Sequence, residues 1–289
     1  MSKGKRLIST VTSESTVHLG IEEFEVPNPG PDEVLVAVEA SPINPSDLGL
    51  LLAGADVSTV SKSENGVVLS LPDGAVDGLM GRLDRPMPVG NEGAGVVVDA
   101  GTGEEAQALQ GQVVAALAGG MYATHRLVKA RDCLVLEEGT EALDAASCFV
   151  NPLTALGMTE TMGLEGHSAL IHTAAASNLG QMLNRICIDD GIALVNVVRR
   201  EEHVELLRSQ GATHIANSSS SDFRSDLVDA IAKTGATIGF DAVGGGDLTT
   251  ELLHAMEVAA SSSGGEYSRY GSTTHKQLYI YGGLDRGPT

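Results

Sequence analysis

The sequence predicts an α/β protein in two parts, a β-rich part over residues 1–150 and a doubly wound parallel sheet over residues 151–289. Three observations carry this. The first half has short alternating apolar runs separated by glycine and proline. A strand–turn–helix–strand unit occupies His167 to Glu202, and strand and helix patterns keep alternating after it.

In the first half, Val34 to Ala40 (VLVAVEA) alternates as a half-buried strand does, and Gly93 to Asp99 and Gln112 to Leu117 repeat the pattern. The stretch from Gly54 to Arg85 carries charges, Gly66, Gly74, Gly78 and Gly81, and a Val67-Val68-Leu69 run that fits an added strand. Long connections of this kind either shape a substrate cleft or are plain surface insertions.

The second half opens with a buried run, Ala169 to Thr173, followed by Ala174, Ala175, Ala176 and Ser177 and a helix beginning near Asn178. Ala175, Ser177 and Gly180 take the three positions of G-x-G-x-x-G, so the last glycine alone is kept. Small residues there allow a tight turn, close approach of backbone N–H groups to a pyrophosphate, and close helix-to-strand packing. Asn178 and Leu179, in the first helical turn, would add N–H groups to such a site. An ordinary strand-to-helix turn fits the same residues.

Ile192 to Val198 is the next strand, and Arg199 and Arg200 stand at its end. In a dinucleotide fold this position meets the adenosine ribose, where an acidic residue suits NAD and arginine suits the 2′-phosphate of NADP. The arginines therefore favour NADPH over NADH; pairing with Glu201, Glu202 or Glu205 is the competing reading. Helix patterns over His203 to Ser209 and Phe223 to Lys233 alternate with strands over Thr213 to Ala216 and Ala236 to Val243. Ala260 to Lys276, with Tyr267, Arg269 and Tyr270, reads as an exposed polar loop before a fifth strand, Gln277 to Tyr281.

Composition excludes several functions. With 18 basic and 38 acidic residues the formal charge is −20, which disfavours nucleic acid and anionic membranes. There is no apolar run of membrane-spanning or signal-peptide length. Cys133, Cys148 and Cys187 are far apart in sequence and read as small apolar residues, so a cytoplasmic location is expected.

Four stretches in order, NPSDLG (Asn44 to Gly49), PVGNEGAGVVV (Pro88 to Val98), NPLTALG (Asn151 to Gly157) and HTAAASNLG (His172 to Gly180), resemble the landmarks of the medium-chain dehydrogenase/reductase superfamily. The likeness is to its zinc-independent branch of quinone oxidoreductases and enoyl thioester reductases, and it runs from about Glu33 to the end. It implies a GroES-like N-terminal domain and a Rossmann NADP-binding domain. It further implies that Asn44, Asp47 and Tyr122 serve the substrate side near the nicotinamide, and that Thr154, Val243, Gly244 and Gly282 contact the cofactor.

Zinc-dependent relatives carry a Gly-His-Glu ligand motif, whereas Gly90-Asn91-Glu92 stands here, and no CxxC cluster exists; no metal is expected. Without a Lewis acid the substrate should be a small electrophile that accepts hydride readily, a quinone or enone. Enoyl thioester reductases place a tyrosine shortly after the NPSD-like motif, and Gly49 to Asp56 (GLLLAGAD) has none. Thioester reduction is the second reading, and a non-catalytic nucleotide-binding protein the third. Relatives continue beyond a fifth Rossmann strand, so the sheet is expected to lack its last strand. The homodimer that full-length relatives build by sheet extension is accordingly not expected of this chain.

Overall fold

A computed structural model describes residues 3–262, 269–285 and 287. The chain forms two compact units, Met1–Val150 and Asn151–Thr289.

The first unit contains two antiparallel sheets. Strands β1 (Lys3–Val11), β2 (Thr16–Glu25), β3 (Glu33–Ala40), β4 (Asp56–Ser63), β5 (Gly66–Ser70) and β6 (Met87–Pro88) are followed by β7 (Gly93–Ala100), β8 (Val113–Ala116), β9 (His125–Lys129) and β10 (Cys133–Val135). Helices α1 (Pro45–Leu52), α2 (Glu104–Ala108) and α3 (Ala142–Ala145) sit in the connections. One sheet has the order β4-β5-β2-β1-β6 and the other β10-β8-β7-β3-β9. Alternation along β3 puts Val34 and Val36 into a core with Val97, Val114, Met121 and Val128.

The Gly54 to Arg85 insertion is a hairpin added to the first sheet. β5 carries the expected Val67-Val68-Leu69 run and pairs with β2, while β4 lies on the sheet edge with every residue exposed. Its return is anchored by Arg82, which donates to the Ser9 hydroxyl at 3.0 Å and the Leu50 carbonyl at 2.9 Å.

Helix α4 (Val150–Leu164) starts on the last residue of the first unit, and the second unit continues as β11 (Ala169–His172), α5 (Asn178–Asp189), β12 (Ala193–Val198), α6 (Glu201–Ser209), β13 (His214–Asn217), α7 (Phe223–Thr234), β14 (Ile238–Asp241), α8 (Leu248–Ser262) and β15 (Gln277–Ile280). The five strands are all parallel, in the order β13-β12-β11-β14-β15. Successive β11 residues face opposite layers. Leu170 packs with Met158 of α4 and Leu183 of α5, and Ile171 with Leu227 of α7 and Leu252 of α8. Burial on both faces is what doubly wound sheets require of their strands.

Two expectations change. The strand read over Ala236 to Val243 is confined to Ile238–Asp241, since Gly235 caps α7 in the left-handed region and Val243 turns away under the Asp241 carboxylate. Of the polar stretch from Ala260, the residues up to Ser262 complete α8. Arg269 and Tyr270 are exposed beyond it, and Tyr267 lies outside the described residues.

Candidate functional site

In the second unit, a groove of about 950 Å³ opens at the carboxyl ends of the parallel strands, lined by the turn after β11, the end of β12 and the segment after β14. Such ends are where open α/β sheets bind ligands. The turn is tight: Ala174 has φ +50° and Ser177 N–H donates to its carbonyl at 2.9 Å. Ser177 is the N-cap of α5, and its hydroxyl accepts from Gly180 N–H at 3.1 Å. A Cβ on Gly180 would lie 2.3 Å from the Ala175 carbonyl oxygen, so this glycine is needed for helix-to-turn packing. Ala174, Ala176 and Ser177 line the groove; Ala175 is buried beneath, and Asn178 and Leu179 form the first turn of α5 outside the lining.

At the end of β12 the two arginines separate. Arg200 is the residue before α6 and pairs with Glu202 at 2.9 Å, with both side chains mostly exposed. Arg199 lines the groove and makes no ion pair with any described residue. Beside it, Ser218, Ser220 and Ser221 from the loop after β13 enter the wall, held by Ser218 N–H on the Val198 carbonyl at 2.7 Å and the Ser219 hydroxyl on the Arg199 carbonyl at 2.8 Å. Arg224 also lines the groove, but its guanidinium forks onto Glu251. Of the acidic residues next to Arg200, Glu201 accepts from Asn217 at 3.2 Å and Glu202 is engaged by Arg200; neither lines the groove.

The floor beyond β14 is set by Asp241. Fully buried, its carboxylate accepts from the Thr173 and Thr249 hydroxyls at 2.7 and 3.0 Å and from the Val243 and Gly244 N–H groups at 2.9 and 3.2 Å. Val243 reaches the groove. Gly244 and Gly282 meet each other's chain: a Cβ on Gly244 would lie 2.5 Å from the Gly282 carbonyl oxygen, and one on Gly282 2.4 Å from the Ala242 carbonyl oxygen. A second backbone therefore passes close to both glycines. Nearby, buried His172 bonds Tyr281 through Nε2 at 2.7 Å while its Nδ1 has no partner among the described residues, and burial pushes its pKa down to about 4.

Asn44, Asp47 and Tyr122 converge in the first unit around a residue that sequence reasoning passed over, Glu92. Glu92 is 1% exposed. One of its oxygens accepts from Asn44 Nδ2 at 2.9 Å, the other from the N–H groups of Phe149 and Val150 at 2.9 and 3.0 Å, where α4 begins. Asp47 accepts from Asn44 N–H and Asn91 N–H, each at 2.8 Å, so it clamps two segments with both oxygens. Tyr122 donates to the Pro42 carbonyl at 2.9 Å, and burial, followed by the Asp47 and Glu92 carboxylates, raises its pKa further. Asn91, at the position of a zinc-binding histidine in other relatives, donates to the Ser46 hydroxyl at 3.1 Å. Among the described residues, no group of three His, Cys, Asp or Glu is placed to hold a metal ion. Thr154 sits half-buried in α4 and is not part of the groove wall.

Residues 30–138 match the alcohol dehydrogenase GroES-like domain. A solved structure of a proposed NADPH:quinone reductase from Mesorhizobium loti superposes on the whole chain with a TM-score of 0.71 at 27% identity, covering 76% of that protein. The first unit thus carries the GroES-like domain, and the chain is similar over its length to members of the medium-chain dehydrogenase/reductase superfamily. Other members are similar over much of its length. The mitochondrial enoyl-[acyl-carrier-protein] reductase of Xenopus tropicalis is 26% identical over 93% of this chain and 67% of its own length. The synaptic vesicle membrane protein VAT-1 homolog of Rattus norvegicus is 27% identical over 80% of this chain. The chain thus spans about half, 51%, of the length of that second relative.

The serines at 218, 220 and 221 escaped the sequence reading, although the signal was present as a four-serine run directly after a strand. Glu92 was legible only as one letter of a degraded metal motif. Its partners lie 48, 57 and 58 positions away.

Proposed function

We propose that this chain is an NADPH-dependent oxidoreductase that reduces a quinone or a similarly activated alkene without zinc. The carrying observation is Arg199: a guanidinium with no ion-pair partner among the described residues, beside three serines, in the wall of the groove headed by the Ser177-capped helix. Arginine with hydroxyls is a donor set suited to a phosphate monoester, and the α5 N-terminus suits a pyrophosphate. The groove residues therefore fit NADPH, with Ser177 and the turn holding the pyrophosphate and Arg199, Ser218 and Ser220 the 2′-phosphate. Since Glu201 and Glu202 are engaged elsewhere, this wall offers no carboxylate from that pair to a ribose diol, which speaks for NADPH over NADH. Bound NADPH would supply the hydride.

The first unit would orient the acceptor rather than protonate it. Asp47 and Glu92 have both carboxylate oxygens engaged and the Tyr122 proton is committed to Pro42, so none is disposed to act as a general acid. A quinone can take its proton from solvent. The amide at Asn91 in place of an imidazole supports the zinc-independent reading, since an amide is a poor zinc ligand. Enoyl thioester reduction is the second reading, favoured by the likeness to the Xenopus tropicalis reductase.

The test is a fluorescence titration with NADPH and NADH of the unmutated chain, Arg199→Ala and Arg200→Ala. Arg199→Ala should weaken NADPH roughly 10- to 100-fold, the worth of one or two charge-assisted hydrogen bonds, and leave NADH unchanged. Arg200→Ala should change neither. Equal NADPH affinity in Arg199→Ala would overturn the assignment. Turnover of 1,4-benzoquinone and of a 2-enoyl thioester then separates the two readings.

A further inference from the structure

The first unit carries a second, smaller cavity of about 310 Å³, lined among others by Arg6, Phe24, Glu25, Gly120, His125 and Arg126. Arg126, on β9, uses one donor on the Ala118 carbonyl at 3.2 Å, and its Nε is buried without an acceptor among the described residues. The guanidinium rests against bare backbone at Gly120, where a Cβ would come within 3.6 Å of Cζ. Arg6 approaches from the β1–β2 hairpin, its guanidinium 5.2 Å from the Phe24 ring centroid and fixed by Glu22 at 2.8 Å. Glu25 is the carboxylate on the wall, and it pairs with neither arginine.

Two guanidinium groups thus face one cavity, and one of them lacks an anion. The Arg6 charge adds to burial in lowering the Arg126 pKa, which marks the two cations as close enough to repel. In a chain with 38 acidic against 18 basic residues, carboxylates are abundant, yet none is within ion-pair distance of Arg126 among the described residues. A half-buried cation next to another cation is unfavourable by itself. An oxyanion lodged between them reverses the sign of both interactions, and guanidinium forks match phosphate oxygens in geometry.

We infer that this cavity binds a phosphate group through Arg126 and Arg6, either as free phosphate or as the phosphate of a small ester. The inference is independent of the nucleotide groove, whose lining residues all belong to the other unit.

The experiment follows the arginine Nε–H resonances of the unmutated, ¹⁵N-labelled chain during titration with inorganic phosphate and with glycerol 3-phosphate, alongside calorimetry of Arg126→Gln and Arg199→Ala. Gln removes the charge and keeps a donor for the Ala118 carbonyl. The Arg126 and Arg6 signals should shift together and saturate. Arg126→Gln should lose at least about tenfold in affinity and Arg199→Ala should retain this site. Tighter binding of glycerol 3-phosphate would identify an ester as the ligand, and equal binding free phosphate. Unmoved Arg126 and Arg6 signals in the unmutated chain would overturn the inference whether or not the variant folds, as would undiminished binding in a folded Arg126→Gln.

Discussion

Glu92→Gln is the most informative single change to this protein. The carboxylate is buried, and its two oxygens accept three hydrogen bonds, from Asn44 Nδ2 and the Phe149 and Val150 N–H groups. Gln keeps the volume but replaces one oxygen by a donor, so in either rotamer an NH₂ confronts a group that also donates. Losing the charge weakens the remaining bonds, and one buried donor goes unmatched, for a total on the order of 2–4 kcal/mol. For a protein of this size that corresponds to a melting-temperature drop of roughly 3–7 °C. Glu92→Ala, which leaves all three donors without this acceptor, should cost as much or more. Because two units need not unfold together, native-state hydrogen exchange is the sharper assay: the Phe149 and Val150 amides should lose protection in the Gln variant before the β-sheet amides do. If the Gln variant melts within about 1 °C of the parent and exchanges identically at both amides, the clamp reasoning is wrong.

Three other outcomes are expected. Ser177→Ala should cost about 1 kcal/mol through the lost N-cap and weaken NADPH, whereas Ser177→Thr should preserve both; chemical denaturation and cofactor titration check this. His172 is held neutral in the fold with a pKa of about 4, against about 6.5 unfolded, so the unfolded chain takes up the proton first. Its contribution is therefore complete above pH 6.5 and is lost as pH falls toward 4; between pH 7 and 5 the parent should lose about 2 kcal/mol more than His172→Gln, measured by urea unfolding at both pH values. Gly282→Ala should destabilise by about 1–3 kcal/mol because its Cβ meets the Ala242 backbone, while Gly283→Ala, with no atom of the described residues within 4 Å of its Cβ, should stay within about 0.5 kcal/mol in thermal melts.

Periodicity made most of the second unit legible. The helix beginning at Asn178, the strand ending at Val198 and the strand beginning at Gln277 stand where the apolar pattern puts them, because burial on one face or both leaves its period in the sequence. The long β1–β2 hairpin was less readable. Its second strand carries glutamates at 22, 23 and 25 on exposed positions, where no alternation of burial is imposed. The helix Leu248–Ser262 was obscured at its end by small polar residues that suit loops equally well.

By itself, the sequence determined the fold class, the turn that heads the groove and the superfamily resemblance, all of which rest on residues close together in the chain. Tertiary structure alone decided which of two adjacent arginines enters the groove, that the serines after the third strand of the second unit join it, and that Glu92 joins Asn44 to the Phe149 and Val150 amides. It also showed that Gly244 and Gly282 stand where a Cβ would meet the backbone of the neighbouring segment. The physical reason is common to all four. Periodicity and propensity report how a segment meets its own neighbours, whereas ion pairing, capping across segments and steric contact depend on groups that folding brings within a few ångströms from distant parts of the chain.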